Sequence, residues 1–165
     1  MADVTGTTYA GDAFIGYLSE LRVGQADSPE TFVAVADVTI ITPGDMTTGV
    51  VEKTHLRSPD RHKEWIATLR NSGAFQIQGN YRPGHGSHTI AGGDGFAADR
   101  SLVSLWRDVT EANFEIELPV EASGSPAIVL SFTGVVTKYQ IGAIGVETKV
   151  DFTAEITPLS AYTLP

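Results

Sequence analysis

The chain alternates apolar and polar residues over several stretches. In AFQIQGNY (74–81), Phe75, Ile77, Gly79 and Tyr81 fall on one side, and Ala74, Gln76, Gln78 and Asn80 on the other. That is the period of a strand with one face on a core. NFEIELP (113–119) repeats it, with Phe114, Ile116 and Leu118 opposed to Glu115 and Glu117. VETKVDFTAEIT (146–157) carries it furthest. Val146, Thr148, Val150, Phe152, Ala154 and Ile156 oppose Glu147, Lys149, Asp151, Thr153, Glu155 and Thr157. Upstream, AFIGYLSELRV (13–23) and TFVAVADVTII (31–41) predict strands, the second with Phe32, Ala34, Ala36, Val38 and Ile40 on one face. AIVLSFTGVVTKYQI (127–141) predicts a long strand with Gly134 at a bulge or bend.

Between these lie other patterns. FAADRSLVSLWRDV (96–109) has helical spacing, with Leu102, Leu105 and Trp106 on a stripe that Phe96 and Val109 extend, and Asp99 near its start. Residues 46–72 form a long excursion between strands. VEKTHLRSPDRHKEW at its centre is the most basic part of the chain, and HKEWIATLRNSG predicts one or two helical turns with Trp65, Ile66 and Leu69 on one side and Gly73 beyond the end. Residues 1–12 read as a loose N-terminal arm and 158–165 as a C-terminal tail. The whole, 1–165, is a single domain by length. One helix among antiparallel strands predicts a mainly β fold, a sandwich or split barrel with the helix closing one end.

Charge and composition then narrow the function. Twenty acidic and 11 basic residues leave a formal charge of −9, which disfavours tight phosphate binding. The absence of cysteine excludes disulfides and thiolate chemistry. The N-terminus has neither a basic nor an apolar leader region, so no secretory signal is expected, and no apolar run reaches membrane-spanning length. His85 and His88 sit in a Gly-rich loop rather than at helical metal-ligand spacing. His55, Ser58 and Asp60 offer hydrolase residue types without a nucleophile elbow. Gly92-Gly93-Asp94-Gly95 lacks the basic residue of a phosphate loop. Glu115 and Glu117 read as a solvated strand face rather than a catalytic pair. No enzyme signature emerges, and no cofactor or metal is expected.

The order of these pieces resembles the tail tube (major tail) proteins of long-tailed bacteriophages, of the phage lambda type. The resemblance rests on TPGD (42–45), THLRSPDRHKEW within an excursion ending at Gly73, FQIQGNYRPG, SLVSLWRDV, FEIELP, SFTGVVTKYQI and VETKVDFTAEITP, in register from Phe32 to Thr157. It implies a structural virion protein, assembled in the host cytoplasm into the tail. Hexameric rings would stack into a hollow tube, the strands closing into a ring barrel on oligomerisation. DNA would pass through without tight binding, and tape-measure, tail-tip and terminator proteins would be partners.

On that reading the excursion becomes an inter-subunit loop, with Lys53, His55, Arg57, Arg61 and Lys63 as its charged contacts and Trp65, Ile66 and Leu69 as its anchors. Gln76, Gln78, Asn80, Glu115, Glu117, Glu147, Asp151 and Glu155 become lumen-lining candidates, since an acidic wall lets DNA slide. The alternatives are the tube of a contractile or type VI-like injection device, a small monomeric ligand-binding β-barrel with 82–95 at its mouth, and a histidine-based metalloenzyme.

Overall fold

The alternating stretches within 75–80, 111–118 and 151–158 bury their apolar faces in one core. The computed structural model describes residues 19–54, 63–118, 128–146 and 148–161. The N-terminal arm, the centre of the basic excursion with His55, Arg57, Ser58, Asp60 and Arg61, the residue Glu147 and the last four residues lie outside that set. The elements are β1 (Glu20–Gly24), β2 (Phe32–Ala34), β3 (Val38–Thr42), β4 (Thr47–Glu52), β5 (Trp65–Asn71), β6 (Phe75–Asn80), a 3-10 turn (Gly86–His88), α1 (Leu102–Asp108), β7 (Glu111–Leu118), β8 (Ile128–Ile141) and β9 (Asp151–Pro158).

Seven strands form one antiparallel sheet in the order β2-β1-β7-β8-β9-β6-β3. Its two edges, β2 and β3, are joined by only Val35, Ala36 and Asp37. Four residue steps from Ala34 to Val38 reach at most ~14 Å, so the sheet is curled until its edges approach. The connector itself carries the pairing of both edges onward: Val35 N–H donates to Leu21 O of β1 at 2.8 Å, and Asn80 N–H of β6 donates to Asp37 O at 3.0 Å. This is a split barrel, with a seam between β1 and β3.

Inside the curl, Phe75, Phe114, Phe152, Leu21, Ile77 and Ile156 are fully buried. Phe132 stacks on Phe75 at 4.6 Å and on Phe114 at 5.6 Å between centroids. Each such side chain contributes roughly 1.5–3 kcal/mol through burial. α1 closes one end. Ser101 caps it by accepting from Ser104 N–H at 3.1 Å, and Leu102 and Leu105 fill the core below.

Several expected details differ. The 31–41 segment is two strands, because Asp37 takes a left-handed φ of 51° and turns the chain from one edge to the other. Val33, Val38 and Ile41 pack on the core, whereas a bulge between Val38 and Ile40 leaves Ile40 half exposed. The helix begins after Ser101 rather than at Phe96 and ends at a left-handed Val109. Phe96 is nonetheless buried, while Trp106 is 45 % exposed. The bulge in β8 falls between Val136 and Lys138, and Gly134 pairs regularly with Ala112 and Pro158. β9 starts at Asp151, not Val146, and includes Pro158 of the expected tail.

Candidate assembly surfaces

The excursion is not a loop with a helical turn. β4 and β5 pair as a separate antiparallel ribbon, with Val50 opposite Ala67, Val51 opposite Ile66 and Glu52 opposite Trp65. Its root is a crossing of Gly44 and Gly73. Gly73 has φ 63°, and a Cβ on it would meet Asp45 N at 2.7 Å, so only glycine lets the two chains pass. Every residue of β4 and β5 is exposed. Val50, Trp65 and Ala67 share one face and Val51 and Ile66 the other, and a bulge between Thr48 and Val50 breaks the alternation before Leu69. Leu69 is 87 % exposed. A two-stranded ribbon alone is marginal in water, and this one has aliphatic or aromatic surface to cover on both sides.

The described lysines of the ribbon have partners inside it. Lys53 Nζ lies 3.3 Å from Glu64, and Lys63 Nζ lies 3.3 Å from Glu52 and about a ring's reach (6.0 Å) above Trp65. Exposed pairs of this kind are worth ~0–1 kcal/mol, so they orient the ribbon without locking it.

A second surface is the outer face of the curved sheet. The register sets Gln76 opposite Glu155, Gln78 opposite Thr153 and Asn80 opposite Asp151. Glu115 faces Ser131, and Glu117 faces Val129. The seven described members of the acidic and amide set therefore share one face across β7, β8, β9 and β6. Glu20 and Arg22 of β1 continue it beside Glu117 and Glu115. Basic residues there are already engaged. Arg22 bridges Glu20 and Glu117, and Lys149 holds Asn80 at 3.0 Å and Asp151 at 3.3 Å. Lys138 stands opposite Glu155. Burial pushes the Glu115 carboxyl above its ordinary pKa, with Glu117 and Glu30 adding to the shift against the pull of Arg22. The face thus keeps a net negative field.

The two described histidines, His85 and His88, have structural work. His85 Nδ1 accepts from Ser87 N–H at 3.2 Å, capping the 3-10 turn, and Asp94 accepts from Gly86 N–H at 2.9 Å. Positive φ at Gly92, Gly93, Asp94 and Gly95 folds that Gly-rich run back on the turn. His88 is a core residue, 4 % exposed, bonded through Nδ1 to Tyr139 Oη at 2.9 Å and packed edge-on against Phe152. Among the described residues no group of three or more His, Cys, Asp or Glu side chains is arranged to hold a metal ion. The polar chain from Thr133 to Asn113 to Glu30, with both links 2.8 Å long, escaped sequence reasoning, because Glu30 lies in a turn.

The family model of the lambda phage tail tube protein matches residues 17–164. The chain belongs to that family. Membership makes it a structural protein of the virion tail. No curated protein sequence matches it. Among solved structures, it is similar to the tail of an empty gene transfer agent particle with C6 symmetry, at 11 % identity and TM-score 0.58, covering 88 % of this chain and 95 % of that one. The SPP1 tail tube matches at 10 % identity and TM-score 0.58, over 92 % and 79 % of the two chains. The sheath/tube terminator of an extracellular contractile injection system matches at 9 % identity and TM-score 0.63, over 95 % and 99 %. At such identities the likeness is one of fold. The tail tube family thus adopts here a mainly β, one-helix architecture. Among the described residues no helix is long and apolar enough to cross a membrane.

Proposed function

We propose that copies of this chain assemble as six-membered rings, stacked into a tube whose wall turns the β1–β7–β8–β9–β6 face to the lumen. The observation that carries this is the continuity of that face: carboxylates and amides from separate strands fall side by side on one curved sheet, opposite the core. A tube wall with this charge repels the DNA backbone and offers it no counterion-releasing contacts, so DNA slides through. The β4–β5 ribbon, apolar on both sides, lies between neighbouring copies and gains its partners on assembly. The C6 symmetry of the gene transfer agent tail supports six-fold rings. Tape-measure, tail-tip and terminator proteins complete the tail.

The test is charge reversal on the wall. Virions carrying Glu115→Lys with Glu117→Lys are expected to assemble tubes of normal length but to eject DNA more slowly, with the defect relieved by added salt. Unchanged ejection at low salt places β7 away from the lumen. The similarity to a contractile-system component, as high as to the phage tubes, favours a second reading in which the same tube carries a sheath. Sheath subunits co-assembling on purified tubes would support it.

A further inference from the structure

The two ends of the sheet differ in a way that the ring reading leaves unused. Where β7 ends and β8 begins, the seam between β1 and β3 opens as a groove of about 570 Å³. Its floor is Ile116, Leu118 and Leu130, one wall is Ile40 and Ile41, and Glu20 stands on the rim. At the opposite end the β8–β9 turn projects Ile144, 83 % exposed, and Val146, 105 % exposed. The turn is held in shape by a Gly145–Thr148 bridge and by Gly142 N–H donating to Asp151 O at 2.7 Å. Lys149, with a side chain 70 % exposed, flanks it. The 14 residues of β8 separate the two features by roughly 40 Å.

We infer that the Ile144–Val146 turn of one copy seats in the β1/β3 seam groove of a copy in the next ring; this rests on the tube reading above. An aliphatic knuckle at one end and an aliphatic groove at the other are complementary only head to tail. Such a heterologous contact does not close on itself, and repeats along an axis as a filament. Lys149 beside the knuckle and Glu20 on the rim have opposite signs, and because their pairs within the chain are exposed and therefore weak, they can exchange partners and bias the register of stacking. The contact accounts for two exposed aliphatic side chains that a monomer has no use for.

The chain has no cysteine, so introduced thiols report this contact alone. Tubes assembled from a mixture of Ile40→Cys and Val146→Cys copies, treated with a short bismaleimide, are expected to give a cross-linked dimer. Tubes of the doubly substituted chain should give a ladder of multimers. Mixed tubes without the dimer overturn the contact, as does cross-linking of Ile40→Cys to Leu69→Cys, which would put the ribbon in the groove. Ile144→Asp with Val146→Asp is expected to leave six-fold rings intact but to cut stacking at least about tenfold, since two aliphatic side chains lose their burial; tubes of wild-type length overturn the proposal. A folded wild-type chain that makes neither rings nor tubes refutes the tube reading itself, and this contact with it.

Discussion

Burial lowers the His88 imidazole from an ordinary pKa of 6.5 to about 4. Its Nε2 has no hydrogen-bond partner, and the Ala36 carbonyl, which would favour a charged ring, is not in bonding geometry. Around it, Arg82 and His85 also disfavour the proton and Asp37 favours it, while the Tyr139 hydroxyl bonds the ring and the Tyr81 ring packs against it. Above pH 6.5 the ring is neutral folded or unfolded, and its contribution to stability is complete. As pH falls towards 4 the unfolded chain takes up a proton that the folded chain refuses, so stability is lost by up to ~1.4 kcal/mol per pH unit. His88→Gln is therefore expected to show a flatter fall in urea midpoint between about pH 6.5 and about pH 4.5 than the parent. Parallel curves would contradict this account of His88. Nothing in the sequence separates His88 from His85, because a loop residue's depth is set by what folds over it. Gln76, Gln78, Glu115 and Glu155 were legible, since a two-residue period fixes their face whatever the neighbouring strands.

At the scale of the element, the 65–71 segment illustrates where periodicity fails. Trp65, Ile66 and Leu69 fit a helical stripe. What decides for a strand is pairing with Val50 and Val51, across a gap in sequence that no local pattern spans. The same holds for 31–41, where one β-branched run serves two edges because Asp37 reverses the backbone. The ribbon's exposure yields a direct expectation. Trp65→Ala with Leu69→Ala should leave the unfolding free energy of the monomer within about 0.5 kcal/mol of the parent, since both side chains already face solvent. Assembly should be abolished, as anchors in protein interfaces each cost ~2 kcal/mol or more when truncated. Sedimentation after concentration separates the two effects. Normal tubes from this variant would show that the ribbon is not an interface.

At the scale of the whole molecule, most core strands follow from the alternation, but neither the division of 31–41 between two edges nor the curl does. It arises because β2 and β3 are consecutive in sequence and lie at opposite edges of one sheet. The curl leaves a seam at one end, a knuckle at the other and an acidic face along one side. The ribbon remains outside the core. Each of these features is a poor investment for an isolated monomer and a natural one for a copy in a ring. The proposed lumen wall of Glu115, Glu117, Asp151 and Glu155 and the proposed knuckle-in-groove stack draw on the same geometry, one across the ring and the other along the tube. The most direct measurement is electron microscopy of the purified chain, fresh and after days at high concentration, with tail-tip complexes added as nuclei. The account predicts hollow tubes with six-fold end views; a chain that stays a compact monomer with nuclei present would contradict it.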